Sequence, residues 1–213
     1  MNDETRKAWL ITNHAPMNIP SGYENIKGDI IAVDRGLIRV RDLNLTPRVI
    51  IGDMDSLPAE ELRRYPDTEI IRHQAEKNET DTELALIWCV QTGVYDEIIV
   101  CNSLDGRFDH SAGIIQNLIW LHLQKIPARI ESQDQTLFFL KSDTLIKGKP
   151  GDMLSLISYS EYSRFVDSIG LKYPLDKLIL AQHQSRGISN ELIHKSALIR
   201  LEEGLVLAVF TRV

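Results

Sequence analysis

The sequence predicts an α/β protein with an N-terminal, mostly parallel, doubly wound (Rossmann-like) sheet and a smaller C-terminal antiparallel β-sandwich domain. Two observations support this prediction. Short β-branched runs alternate with helical patterns in the first half of the chain, which is typical of βα units that build a parallel sheet. Strand-like runs without a convincing helix pattern follow from about Ala128. We place the boundary so that an α/β domain spans residues 1–132 and an all-β domain spans residues 133–213.

The predicted strands of the first half are short apolar runs that end at turn residues, as buried strands of a parallel sheet do. They cover residues 8–12, 29–33, 48–51, 69–72 and 97–100.

The predicted helices lie between these strands. Pro58 stands at the opening of a helix over residues 58–65, and a longer helix covers residues 109–125. Thr80 and Glu83 form a capping-box pattern before an apolar run, and Gly93 marks the end of that helix.

The C-terminal part contains five strand-like runs, at residues 136–140, 153–158, 178–181, 197–200 and 205–211. Turn residues at 149–152 and 202–204 separate some of them. This pattern is typical of a small antiparallel sandwich or half-barrel.

The composition narrows the class of protein. With 213 residues and 43% hydrophobic residues, the chain can build a real core. A net charge of -6 argues against a nucleic-acid partner, which needs a basic face. The polar N-terminus lacks a signal pattern and no apolar run is long enough to cross a membrane, so we expect a cytoplasmic protein without a membrane partner. Cys89 and Cys101 have no metal-site spacing and are expected to be buried free thiols.

Aspartates follow the predicted strands. Asp34 directly follows the second strand, Asp53 and Asp55 follow the third, and Asp81 lies in the loop after the fourth. One such aspartate alone is most often a cap or turn residue. Because the carboxyl ends of parallel strands meet at one edge of the sheet, where ligands bind, we expect these four side chains to converge.

Converging carboxylates repel one another unless a cation lies among them. Hard oxygen ligands without a Cys or His pattern favour Mg²⁺ over zinc, and Mg²⁺ completes its shell with water and substrate phosphates. The sequence therefore predicts a site for a magnesium–nucleotide polyphosphate in the N-terminal half.

A loop after the fifth strand carries a possible phosphate ligand. Gly106 permits a tight turn, Arg107 offers a planar set of donors, and Asp109 is placed to cap the next helix, orient Arg107 or contact the nucleotide. An ordinary Asp-Gly turn with a solvated arginine fits the pattern equally well. Lys77 is a second cation for phosphate, and His110 is assigned no role.

Five segments in order resemble the thiamine pyrophosphokinase (thiamine diphosphokinase) family. They are Val-Asp-Arg-Gly at 33–36, Ile-Ile-Gly-Asp-Met-Asp-Ser-Leu at 50–57, Lys-Asn-Glu-Thr-Asp-Thr-Glu-Leu-Ala-Leu at 77–86, Gly-Arg-Phe-Asp-His at 106–110 and Gly-Ile-Ser-Asn-Glu at 187–191. Each segment alone is weak, but their combination is specific. The chain departs from common family patterns at Arg35 and Asn78, and neither departure touches the four aspartates.

The resemblance implies transfer of the pyrophosphoryl group of ATP to the hydroxyethyl group of thiamine, giving thiamine diphosphate and AMP. It implies Mg²⁺ as cofactor and a homodimer with active sites between subunits. It matches Asp34, Asp53, Asp55 and Asp81, the expected catalytic acids, to the family's acidic metal and substrate positions. Our hypothesis is that Asp53, Asp55 and Asp81 are the metal ligands. The resemblance places ATP contacts at Lys77, Arg107 and Asp109, and thiamine contacts at Ser189 and Asn190.

Some roles stay open at this point. Either Asp81 or Asp34 accepts or orients the proton of the thiamine hydroxyl, and Tyr173 is one candidate for the aromatic residue that stacks on thiamine. Other readings are a pyrophosphokinase for another alcohol such as a hydroxymethylpterin, a metal-dependent nucleotide hydrolase, and a nucleotide-binding regulator without catalysis.

Overall fold

The computed structural model describes residues 5–74 and 76–213. The chain divides into two compact units, the first ending at Gln133 and the second spanning Asp134–Val213.

The first unit alternates strands with helices. Its elements are β1 (Lys7–Ile11), a 3-10 helix (Tyr23–Asn25), β2 (Asp29–Val33), α1 (Gly36–Asp42), β3 (Val49–Gly52), α2 (Ala59–Arg63), β4 (Glu69–Arg72), α3 (Asp81–Thr92), β5 (Glu97–Cys101), α4 (Phe108–Leu123) and β6 (Ala128–Glu131).

The six strands of this unit pair in parallel in the order β6-β5-β1-β2-β3-β4. Strand β1 lies in the middle, where Leu10 pairs with Ile31 of β2 and with Val100 of β5. The chain builds outward through β2, β3 and β4 and then returns to the other side of β1 with β5 and β6. The carboxyl ends of β1 and β5 therefore form the point where the strand order reverses, which is where open α/β sheets bind ligands.

Helices lie on both faces of this sheet. Leu37 and Val40 of α1 pack in one apolar cluster with Trp9, Ile30 and Ile50 of the strands. Successive strand residues point to opposite faces, and the other face is covered by α3, which contacts β1, β2, β3 and α4. The buried β-branched runs of the sequence thus become strands covered on both sides.

The ends of α3 follow the predicted signals. The Thr80 Oγ1 atom accepts the backbone N–H of Glu83 at 3.1 Å, which confirms the cap. Gly93 adopts the left-handed conformation with φ 64° and its N–H donates to the Val90 carbonyl at 3.1 Å.

The second unit contains only strands among its elements. They are β7 (Gln135–Phe139), β8 (Asp143–Lys147), β9 (Met153–Ser158), β10 (Tyr162–Ile169), β11 (Ile179–Ala181), β12 (Asn190–Glu191), β13 (Ser196–Glu203) and β14 (Val206–Thr211).

These strands pair antiparallel in two sets, β12-β9-β14-β7 and β11-β10-β13-β8. One apolar cluster joins Leu154 and Leu156 of the first set to Phe165, Ile199 and Leu201 of the second. The two sets therefore pack face to face as a β-sandwich, and the predicted fold class is confirmed.

The sequence prediction missed several elements: α1, β6, β8, β10 and β12. The helix expected over residues 58–65 is shorter, at Ala59–Arg63, and the one expected over 109–125 spans Phe108–Leu123.

Cys89 and Cys101 are buried and free, as predicted. Burial raises the pKa of both thiols to about 12. No helix in the described part of the chain combines the length and apolar character needed to span a membrane.

Candidate active site

The loops after β1 and β5 are tied together at the point where the strand order reverses. The Thr12 hydroxyl donates to the Cys101 carbonyl at 2.8 Å and accepts from the Asn102 amide at 2.9 Å. The Asn102 Oδ1 atom in turn accepts the Leu104 N–H at 2.8 Å. These bonds fix both loops and leave a cleft beside them.

Asp34 is held at the end of β2 in a left-handed conformation, with φ 45°. Its N–H donates to the Ile51 carbonyl at 2.8 Å, and its Oδ2 atom accepts the Ser56 hydroxyl at 2.9 Å. Its Oδ1 atom is buried and accepts no hydrogen bond from any residue that the structure describes. A buried carboxylate oxygen without a donor is costly unless a cation or another donor reaches it.

Asp34, Asp53 and Asp81 converge. Each offers one carboxylate oxygen, and the three oxygens lie within 4.8 Å of one another. All three side chains are half-buried. The strand ends place these groups together, as the sequence argument expected of them.

Asp55 lies outside this group of three and is exposed. Its backbone N–H donates to the Asp53 Oδ1 atom at 3.0 Å, so the loop turns sharply between the two residues. Met54, between them, has a positive φ of 64° and is buried. The turn directs Asp53 towards Asp34 and Asp81, and leaves Asp55 at the surface.

Lys77 forms an ion pair with one of the three clustered aspartates, which together are called the acidic group below. Its ammonium lies 2.5 Å from the Asp81 Oδ1 atom, and only 13% of its side chain is exposed. The lysine is therefore placed to neutralise part of the carboxylate repulsion.

A cleft of about 560 Å³ surrounds these residues. Its lining combines the acidic group and Lys77 with the loops after β1, β4 and β5 and the first turns of α3 and α4. The other lining residues are Thr12, Asn13, His14, Val33, Glu79, Thr80, Thr82, Asn102, Asp109, His110, Gly113 and Ile114. A polyphosphate fits a cleft of this size and polarity only if cations offset its charge.

Arg107 and Asp109 form an exposed ion pair at the start of α4, with N–O distances of 3.1 and 2.5 Å. Hydrogen bonding to Arg107 lowers the pKa of the Asp109 carboxyl, and hydrogen bonding to Asp109 raises the pKa of Arg107. Asp109 lines the large cleft, whereas Arg107 lines a smaller one of about 80 Å³. The two clefts share His14, Asn102, His110 and Ile114. Asp109 is not the helix cap: it lies inside α4, whose N-cap residue is Arg107, and its Oδ1 atom accepts the His110 N–H at 3.0 Å.

Sequence reasoning gave no role to several residues of this site. Thr12 and Asn102 organise the two loops, Ser56 binds Asp34, and His14 and His110 line both clefts. Asn102 comes two residues after the predicted strand 97–100, and a polar residue after a strand is the same signal that identified the aspartates. The contributions of the remaining residues depend on which strands are neighbours in the sheet, and the sequence does not reveal this order.

The predicted residues of the second unit differ in their surroundings. Ser189 is exposed, has a positive φ of 61°, and donates its N–H to the Ser155 hydroxyl at 3.1 Å. Asn190 is buried, and its side chain binds the backbone of Tyr173, a residue that is itself 61% exposed. Gly187 lies so close to the Leu156 carbonyl that a Cβ atom would stand 2.1 Å from the oxygen.

Two family models match the chain. The model "Thiamin pyrophosphokinase, catalytic domain" matches residues 25–130, and the model "Thiamin pyrophosphokinase, vitamin B1 binding domain" matches residues 143–206. The first match contains all four aspartates, and the second contains Ser189 and Asn190.

Known proteins resemble the chain over most of its length. Thiamine pyrophosphokinase of Bacillus subtilis is 31% identical over 193 residues, which cover 89% of this chain and 90% of that protein. Thiamin pyrophosphokinase 1 of Caenorhabditis elegans is 25% identical over 183 residues, covering 76% and 70%.

Solved structures share the fold. The Bacillus subtilis thiamine pyrophosphokinase structure superposes with a TM-score of 0.85 and 24% identity, covering 98% of this chain and 100% of that one. The yeast thiamin pyrophosphokinase structure gives a TM-score of 0.79 and 18% identity, covering 99% and 87%. At these identities the superpositions establish the architecture alone.

Proposed function

The chain belongs to the thiamine pyrophosphokinase family, and we propose that it transfers the pyrophosphoryl group of ATP to thiamine in the acidic cleft of its first unit. The observation that supports this location of the active site is the convergence of Asp34, Asp53 and Asp81 beside Lys77. The product is thiamine diphosphate, and AMP leaves.

The acidic group suits Mg²⁺. Three carboxylate oxygens within 4.8 Å of one another are hard ligands, and the buried Asp34 Oδ1 atom is without a protein donor among the described residues. We assign Asp34, Asp53 and Asp81 as ligands of this ion. We also assign Asp55 as a ligand, although it is exposed and lies outside the group of three. When bound, Mg²⁺ withdraws charge from phosphate oxygens and aligns the polyphosphate.

Three other residues act on the polyphosphate and nucleotide in this proposal. Lys77, half-buried in the cleft, donates to phosphate oxygens and stabilises the charge that develops during transfer. The guanidinium of Arg107 offers a planar set of donors to the same group, and Asp109 orients it through their ion pair. Asp109 also lines the cleft, where it contacts the nucleotide.

The transfer step forms a bond between the thiamine hydroxyl oxygen and the β-phosphorus of ATP and breaks the bond from that phosphorus to the oxygen of AMP. The hydroxyl proton passes to a carboxylate oxygen of Asp34 or Asp81. Such transfers depend on positioning and charge stabilisation more than on a strong base. The fixed loops of Asp34 and Asp53 supply that positioning.

The second unit supplies the thiamine contacts in this proposal. Ser189 presents its side chain from a left-handed, exposed turn, and Tyr173 offers an exposed ring to the flat cationic thiazolium of thiamine. We further propose, from the family resemblance, a cytoplasmic homodimer with active sites between subunits.

The test is AMP release from ATP and Mg²⁺ with and without thiamine, alongside detection of thiamine diphosphate. We expect AMP only with thiamine, in a 1:1 ratio to the diphosphate, as the proposed reaction requires (about one AMP per transfer). AMP release that is independent of thiamine would identify a nucleotide hydrolase instead. ATP binding without turnover would identify a regulator.

A pair of variants links the activity to the acidic group. Asp53→Ala removes a proposed metal ligand and is expected to lower turnover at least about a hundredfold. Asp67→Ala removes an exposed carboxylate of the same unit outside the cleft and is expected to retain full turnover. Equal activity of the two variants would overturn the site assignment.

A further inference from the structure

A short ladder in the second unit holds residues 170–173 against residues 190–193. The Lys172 N–H donates to the Glu191 carbonyl at 2.9 Å, and the Lys172 ammonium lies 2.8 Å from the Glu191 carboxylate. Continued by one residue, the ladder would bring the backbone of Asn190 to that of Tyr173.

The backbone of Asn190 pairs elsewhere, with Leu154 across the β12–β9 pair. The side chain of Asn190, instead of its backbone, forms the hydrogen bonds that continue the ladder to Tyr173. Its Oδ1 atom accepts the Tyr173 N–H at 3.0 Å, and its Nδ2 atom donates to the Tyr173 carbonyl at 2.7 Å. A carboxamide carries the same donor and acceptor as a peptide group, so it can replace a strand neighbour on both sides of the bond.

This arrangement uses the Asn190 side chain inside the protein. Its Oδ1 atom accepts a second bond from the Glu191 N–H at 2.9 Å, which occupies both lone pairs of that oxygen. Asn190 is 6% exposed, whereas Tyr173 is 61% exposed. The buried amide therefore fixes the backbone from which an exposed aromatic ring projects.

We infer that Asn190 is a positioning residue that acts on thiamine through Tyr173 and makes no contact with thiamine itself. This inference rests on the proposed function, in which the Tyr173 ring meets the thiazolium. A ring on a fixed backbone loses less conformational entropy on binding than a ring on a mobile one. The two hydrogen bonds between the Asn190 side chain and the Tyr173 backbone, called the clasp below, thus act on thiamine binding. They leave the proposed ATP site in the other unit unaffected.

The test is a double-mutant cycle on the KM for thiamine with Asn190→Asp and Tyr173→Ala. Aspartate keeps the acceptor and removes the donor to the Tyr173 carbonyl. We expect each single variant to raise the KM for thiamine about tenfold with the KM for ATP unchanged, and the double variant to match Tyr173→Ala alone. Tyr173→Phe, which keeps the ring, is expected to restore most of the affinity.

Other outcomes would overturn the inference. If Asn190→Asp raised the KM for thiamine equally in the Tyr173→Ala background, Asn190 would contact thiamine directly or act through the fold. If both KM values changed together with the melting temperature, its role would be structural. Ser160→Ala is the matched control, because it removes another side-chain bond to backbone in the same unit, to the Leu205 N–H, away from Tyr173.

A measurement without turnover separates this inference from the proposed function. Asn190→Ser, which removes the acceptor of the Tyr173 N–H, is expected to speed hydrogen exchange at the Tyr173 amide relative to wild type, whether or not the chain pyrophosphorylates thiamine. Unchanged exchange would disprove the clasp even in an active enzyme. If Asn190→Asp does not fold, Asn190→Ser, which removes the amide without burying a charge, replaces it in the same cycle.

Discussion

Gly52 and Asp34 lie against each other where β3 and β2 end. A Cβ atom on Gly52 would lie 3.0 Å from the Asp34 Cβ atom and 3.1 Å from its Cα atom. The absence of that side chain lets Asp34 keep its positive φ and its N–H bond to the Ile51 carbonyl. Gly52 is thus required by the position of the Asp34 carboxylate, although it carries no reactive group itself.

Gly52→Ala is expected to move Asp34 and lower turnover about tenfold or more, because displacements near 1 Å disturb positioned groups strongly. Steady-state AMP release with thiamine measures the effect. Gly93→Ala is the control: it places a Cβ in a left-handed position with nothing within 4 Å. That variant is expected to lose about 1–2 kcal/mol of stability and to keep its turnover. Equal losses of activity in the two variants would contradict the role of Gly52.

The three clustered aspartates and Asp55 are expected to respond differently to Mg²⁺. Asp53→Asn or Asp81→Asn removes a charge from the group of three, and we expect the half-activating Mg²⁺ concentration to rise about tenfold or more. Asp55→Asn, at an exposed position outside the group, is expected to raise it less. A titration of activity against Mg²⁺ at saturating ATP measures each shift. A larger shift for Asp55→Asn would place the first ion at Asp55.

The parts of the fold that were predictable carry local signals. Apolar β-branched runs ending at turn residues gave five of the six parallel strands, and Thr80 and Gly93 marked the ends of α3. Helix α1 was missed because it is seven residues long and its N-cap residue, Arg35, forms no side-chain capping bond. Strand β10 was missed because residue polarity does not follow burial along it: Ser163 is buried, whereas Val166 and Ile169 are exposed.

The site residues that could be predicted are those whose location follows from their position in the chain, directly after a strand. Aspartates that end neighbouring parallel strands must approach one another, and Asp34 and Asp53 do. The contributions of Thr12 and Asn102 depend on the pairing of β1 with β5, which lie far apart in the chain. The different positions of Asp53 and Asp55 depend on the left-handed conformation of Met54, for which the sequence carries no signal.

Arg107→Ala is expected to raise the KM for ATP about tenfold, because a planar guanidinium binds phosphate oxygens through paired hydrogen bonds. The melting temperature is expected to stay unchanged, since 74% of the Arg107 side chain and 61% of the Asp109 side chain are exposed. Arg107→Lys keeps the positive charge but lacks the planar set of N–H donors, and it is expected to recover only part of the affinity for ATP. A wild-type KM for ATP in Arg107→Ala would exclude a phosphate contact.

A pH-dependent contribution to stability is expected from Glu97, which contacts Arg129 and Lys7. Burial opposes its ionisation, but the two cations outweigh this effect and lower the pKa of Glu97 below its ordinary value of 4.5. A carboxyl whose pKa is lowered by folding stabilises the protein above its unfolded pKa and loses that effect as the pH falls through its folded pKa.

Glu97→Gln is therefore expected to lower the free energy of unfolding by about 1.5–3 kcal/mol at pH 7, the range for a hydrogen bond to a charged group. The difference from wild type should shrink towards zero at pH values below the folded pKa, where wild-type Glu97 is protonated in both states. Urea unfolding of both proteins across the acidic range measures it. Glu60→Gln, at an exposed carboxylate of the same unit, is expected to show no such dependence. A constant difference for Glu97→Gln across pH would show that packing, and not the charge, accounts for its contribution.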